Sequence, residues 1–198
     1  DVRFGMQLPS FSFPGATEPL FETVKRIART AEAAGFDSFW VMDHFYQIRG
    51  VGPAEEPMLE GWLALAGIAS ATEHIRLGTM VTGNIYRNPA LLAKMATTLD
   101  VISNGRAFLG IGAGWNREES EGYGFDFPET PGDRLRRLRE ALRVITLMFT
   151  EERPSFQGKY YSIDRALNQP RPVQQPHPPI LIGGSGEQVT LKLVAQYA

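Results

Sequence analysis

Short apolar runs alternate with helical repeats along this chain, and that alternation limits the fold more than any single motif. Five runs read as strands: Val2 to Leu8, Phe36 to Met42, Ile75 to Gly83, Arg106 to Gly112 and Ile180 to Gly184. Helical patterns fall between them. Leu20, Val24, Ile27, Ala31 and Ala34 recur at helical spacing, and Gly35 ends that helix. A second helix is predicted from about Met58 to Thr72. Asn88-Pro89 supplies an N-cap with proline at the first helical position, and Leu92, Met95, Leu99 and Ile102 face inward. Thr130-Pro131-Gly132-Asp133 fits a capping box and opens a helix carrying Leu135, Leu138, Leu142, Ile145 and Phe149. Its arginine-rich face reads as solvated surface. Lys159 to Pro179 reads as a short hairpin or extended insertion, and a last helix starts at Glu187.

Strands joined through helices imply a parallel sheet with crossovers. Two α/β architectures fit: an open doubly wound sheet, or an eight-stranded βα (TIM) barrel. A dinucleotide fingerprint would favour the first. Gly110, Gly112 and Gly114 begin one, but Trp115 or Arg117 stands where the last glycine belongs. No phosphate loop ending in Gly-Lys-Ser/Thr occurs. The barrel is therefore expected, with 1–198 as a single domain. A closed barrel of this kind needs eight strands and about 250 residues. Only about five strands are read here, so the expectation is a barrel without its C-terminal strands.

Composition removes several function classes. The 198 residues are 43% hydrophobic with a net charge of −2, which suits a globular protein and gives no reason to expect nucleic acid or an anionic membrane as partner. Cysteine is absent, so disulfides and thiolate metal sites are excluded. His74 and His177 stand apart from other ligating residues, and no metal site is expected. The chain opens on Asp1 with no signal-peptide pattern, and a cytoplasmic location is expected.

Chemistry in a βα barrel collects at the carboxyl ends of the strands. Gln7 and Pro9 follow the first run, Asp43 and His44 the second, and Thr82, Gly83 and Asn84 the third. Gly112, Ala113, Gly114 and Trp115 follow the fourth, and Gly183, Gly184, Ser185 and Gly186 the fifth. Glycine after a strand often only makes a turn. Two clusters, one leading into a helix, favour a phosphorylated ligand held by backbone N–H groups. His44 is a candidate acid or base beside Asp43.

The segments FDSFWVMDHF, IRLGTMVTGNIYRNPALLAK, LDVISNGRAFLGIGAGW and PHPPILIGGSGE, taken in order, resemble the luciferase-like flavin and deazaflavin oxidoreductase superfamily. Within it the chain looks closest to the branch that uses the deazaflavin coenzyme F-420. The resemblance implies an eight-stranded barrel with insertions, usually a homodimer, acting on a small organic substrate. It implies hydride transfer with coenzyme F-420; the alternative is an FMN-dependent monooxygenase. The ring would lie across the strand ends, its phosphate near Gly112–Gly114 and Gly183–Gly186, with His44 beside the reactive carbon and Asp43 its partner. It further implies a non-proline cis peptide at Met80–Val81, in a bulge that runs on to Thr82 and Gly83 behind the ring. Sugar-phosphate dehydrogenases of this branch carry a glutamate where Trp115 stands, so their substrate is not transferred. Glu118 and Glu119 are the acids nearest to that place.

Overall fold

The computed structural model describes residues 2–198. In chain order the elements are β1 (Gly5–Leu8), α1 (Leu20–Ala33), β2 (Ser38–Val41), α2 (Gly61–Ala69), β3 (Arg76–Thr79), β4 (Thr82–Gly83) and α3 (Pro89–Ile102). They continue as β5 (Ala107–Gly112), α4 (Arg117–Gly122), α5 (Pro131–Thr150), β6 (Phe156–Gln157), β7 (Ser162–Ile163), β8 (Ile180–Gly183) and α6 (Thr190–Tyr197). Among the described residues no helix is long and apolar enough to cross a membrane.

One parallel sheet carries the fold. β1 pairs with β2, β2 with β3, both β3 and β4 with β5, and β5 with β8. The predicted third strand is thus two pieces, interrupted at Met80–Val81, where the peptide bond is cis. Neighbours in space are neighbours in sequence, joined by helical crossovers, as in βα barrels. Leu8, Val41 and Thr79 stand in register, and Gly112 lies opposite both Gly83 and Gly183. All strands therefore finish at the same end of the sheet.

Burial follows from this layering. Every residue of β2 is buried, as a parallel strand covered on both faces requires. Val24, Ala28 and Ala31 of α1, Leu65 and Ile68 of α2, and Leu92, Ala96 and Leu99 of α3 close over the sheet. The arc on α1 is rotated from the expected one: Thr23 and Ala28 are buried, while Ala34 is exposed. Ile102 also lies largely in solvent, at the end of α3. α2 starts at Gly61 rather than Met58, because the Glu60 carboxylate accepts from Leu63 N–H at 2.7 Å and fixes the first turn there. Thr130 caps α5 by accepting from Asp133 N–H at 3.1 Å, as the capping-box pattern predicts. β6 and β7 make a short antiparallel hairpin that opens at Phe156, ahead of the predicted segment, so that only β7 falls within Lys159 to Pro179. α6 begins at Thr190, three residues after the predicted Glu187.

The other end of the sheet is braced rather than open. Arg106 donates to the carbonyls of Ala69, Thr72, Ile75 and Ser103, tying the exits of α2 and α3 to the starts of β3 and β5. In barrels of this type that end carries stability and the opposite end carries chemistry.

Candidate active site

At the carboxyl ends of the strands lies a cavity of about 550 Å³ with largely apolar walls, a size that suits a small ligand. Its back is the bulge between β3 and β4. Thr79 Oγ1 donates to Gly110 O at 2.9 Å and lies 2.9 Å from Thr82 Oγ1, and Trp62 Nε1–H donates to Thr82 Oγ1 at 3.0 Å. These bonds pin the two ends of the bulge and leave Met80 and Val81 facing the cavity.

The glycines of the floor have a local reason. A Cβ at Gly183 would lie 2.7 Å from Val81 Cγ2, and one at Gly112 would lie 3.0 Å from it. Both positions are bare because the Val81 side chain occupies the space above them. Gly114 and Gly184 carry positive φ angles of 84° and 142°, where a side chain strains the backbone. Gly83, Gly112, Ala113, Gly114, Gly183 and Gly184 together line the cavity with little side chain and much backbone. Ser185 and Gly186 do not line it; they stand in the exposed turn before α6.

His44 lines the cavity and Asp43, expected beside it, does not. Side chains alternate along an extended segment, so the two neighbours face opposite ways. Asp43 is 1% exposed and accepts from Arg87 in a two-pronged pair, at 2.6 Å to Nη1 and 2.9 Å to Nη2. Arg87 also pairs with Glu60. Burial works against the Arg87 charge, but the two carboxylates outweigh it and hold the guanidinium ionised. Burial pushes the Asp43 carboxyl up, against the pull of Arg87.

His44 is held by a residue from the short helix α4. Its Nδ1 lies 2.6 Å from Glu119 Oε1, within hydrogen-bond reach. The Tyr86 hydroxyl donates to the same oxygen, while Phe45 N–H and Tyr46 N–H donate to Oε2 at 2.8 and 3.3 Å. Glu119 is wholly buried. Burial would raise its carboxyl, but the bonds from His44, Tyr86 and Phe45 prevail and hold it below the ordinary range. Tyr86 is pushed far up by burial and by Glu119, so it stays protonated and donates. Phe45, Tyr86, Tyr123 and Phe125 pack edge-on and stacked around this group. The Trp115 ring stands 5.4 Å from His44, edge to face, at the mouth.

A second cavity of about 390 Å³ adjoins the first across Ile48 and Trp115, with Arg49 and Glu118 in its wall. Of the two acids nearest the position of Trp115, Glu119 points inward and Glu118 outward. Sequence reasoning passed over Tyr86 and offered Arg87 only as a rim cation for the cofactor tail, whereas Arg87 is committed to Asp43 and Glu60; both lie between the end of the third strand and the Asn88-Pro89 cap, where site residues are expected.

The luciferase-like monooxygenase family profile matches residues 2–198, and the chain belongs to this family. It is 41% identical over 161 residues to an F420-dependent glucose-6-phosphate dehydrogenase of Kineococcus radiotolerans, covering 81% of this chain and 46% of the relative. It is 33% identical over 184 residues to an uncharacterized protein of Mycobacterium tuberculosis, covering 86% of this chain and 64% of the relative. Among solved structures, an F420-dependent secondary alcohol dehydrogenase in complex with an F420–acetone adduct superposes with a TM-score of 0.82 at 25% identity, over 99% of this chain and 56% of that one. The chain thus spans about half to two thirds of the length of these relatives.

Proposed function

We propose that this chain forms the cofactor-binding part of an oxidoreductase that uses the deazaflavin coenzyme F-420 on a small organic substrate. The observation that carries the reading is the cavity at the strand ends: a glycine-rich floor, the Met80–Val81 bulge behind it, and His44 on the wall. A tricyclic ring needs a slot with few side chains in its floor, and Gly83, Gly112, Gly114, Gly183 and Gly184 supply backbone there. The residues present fit that group. Relatives named for F420 add support. The sheet, with β1 and β8 as its open edges, matches consecutive strands of an eight-stranded barrel.

The ring would rest on the bulge and the glycines, with its phosphate near the backbone of Gly114 and Gly184. When bound, the deazaflavin accepts or returns a hydride. The chain supplies the rest. Met42, Ile48, Leu181 and Trp115 keep water from the ring face. His44 uses Nδ1 to hold Glu119, which leaves Nε2 to take or give a proton at the substrate. Asp43 acts from behind, fixing Arg87 and the end of β2.

Fluorescence-quenching titrations of the full-length protein with coenzyme F-420 and with FMN test this reading. We expect the deazaflavin to bind at least about tenfold more tightly, a difference of about 1.4 kcal/mol. Tight FMN binding with no response to the deazaflavin would instead support an FMN-dependent monooxygenase.

A further inference from the structure

We propose that Glu119 is a positioning residue: its buried carboxylate fixes the tautomer of His44 and offsets the charge that His44 acquires on taking a proton. The inference rests on the reading of His44 as the group that exchanges a proton beside the ring. The geometry shows a carboxylate built for one task. Four donors converge on it from two stretches of chain: His44, Phe45 and Tyr46 after β2, and Tyr86 before α3. A carboxylate with no exposed surface costs several kcal/mol to bury unless its lone pairs are met. Here four donors meet them. Three of these donors are neutral N–H or O–H groups; the fourth, His44, becomes an ion pair when it is protonated.

Both His44 and Tyr86 line the cavity, and both hang on Oε1 of Glu119. One side chain thus orients two walls of the site. A carboxylate can accept only from a ring N–H, so Nδ1 carries the proton and Nε2 is bare in the neutral ring. With an alcohol as substrate, the C–H hydrogen would leave with its electron pair as hydride to the bound deazaflavin, the group that would supply the redox chemistry. The O–H proton would pass to Nε2 as the C=O bond forms. The imidazolium so created faces a carboxylate already in place, as in hydrolase triads where an acid orients a histidine. Asp43 is excluded from this role because both of its oxygens are engaged by Arg87.

The experiment is ¹⁵N NMR of the full-length protein labelled at histidine, with His44 assigned by the loss of its signal in His44→Gln. The wild type is expected to show the neutral His44 ring protonated at Nδ1. An Nε2-protonated ring in the wild type overturns the proposal without any variant at Glu119. In Glu119→Gln the Nδ1 preference should weaken to a mixture of tautomers, whereas Tyr86→Phe should leave it intact. An unchanged tautomer in a folded Glu119→Gln protein also overturns it. These readouts need no cofactor, so they stand apart from the deazaflavin titration. If the titration fails while the NMR succeeds, the cofactor reading falls and the pairing of Glu119 with His44 survives.

Discussion

Arg87 grips Asp43 with two guanidinium nitrogens, from a segment 44 residues further along the chain. The Arg87 side chain is only 10% exposed and the Asp43 side chain is fully buried. Asp43 therefore holds the end of β2 in place, one residue before His44. Removing one partner of a buried pair typically costs about 3–5 kcal/mol. Glu60 still faces Arg87, so Asp43→Asn is expected near the lower end, at about 3 kcal/mol by urea unfolding. If stability changes by less than about 0.5 kcal/mol while turnover collapses, Asp43 works at the substrate instead.

Gly183 and Val81 share one space across two strands. Gly183→Ala forces a Cβ to 2.7 Å from Val81 Cγ2, an overpacking that costs about 1–3 kcal/mol. The displaced bulge should weaken deazaflavin binding about tenfold. Val81→Ala in the same chain opens the space and should restore most of that affinity. Failure of the second change to rescue the first would mean that Gly183 is needed for the ligand and not for Val81.

The parallel sheet was legible because each apolar run is short, bounded by turn signals and followed by a helical repeat. The Asn88-Pro89 and Thr130 caps were legible because capping chemistry is local. α4 was not: its six residues, REESEG, contain no apolar repeat. What holds it is Glu119, bonded to groups 73–75 residues away, and no local pattern encodes such a contact. The pairing of Asp43 with Arg87 was hidden for the same reason. Gly112 and Gly183 looked like anion-binding turns, whereas the nearer cause of their bareness is Val81 in the bulge. The expected cis bond at Met80–Val81 came from family resemblance, and periodicity alone read one unbroken strand through it.

Gly184 separates backbone strain from charge. Its φ of 142° makes any side chain unfavourable. Gly184→Ala and Gly184→Asp share that penalty, and only the second adds a negative charge beside the proposed phosphate site. We expect Asp to lose at least about tenfold more deazaflavin affinity than Ala, measured by quenching at low salt. Equal losses would move the phosphate away from this turn.

Acid should loosen the site through Glu119. Its carboxyl lies below the ordinary value of 4.5 in the folded chain. A group depressed on folding contributes stability above the unfolded value, and that contribution is lost as pH falls through the folded one. Glu32 and Glu140, each accepting from three backbone N–H groups, are depressed too and have the same sign. The informative quantity is thus a difference. Below about pH 4.5 the wild type should lose stability more steeply than Glu119→Gln. Parallel curves for the two proteins would show that Glu119 has no depressed value to lose.

Arg49 offers the last test, at the rim. Four cations stand in segments near the cavity. Arg87 is committed to Asp43 and Glu60, Arg117 to Glu121 and Glu129, and Lys94 to the Gln169 carbonyl. Among the described residues Arg49 has no ion pair, and it lines the second cavity beside Trp115. Coenzyme F-420 differs from FMN by an anionic oligoglutamate tail, which must leave the ring cavity by some route. An exposed charge contact contributes about 0.2–1 kcal/mol. Arg49→Ala should therefore weaken deazaflavin binding about two- to fivefold, leave FMN binding unchanged, and lose its effect in high salt. Equal weakening of both cofactors, or an effect that salt does not screen, would place the tail elsewhere and make Arg49 a packing residue of the loop after β2.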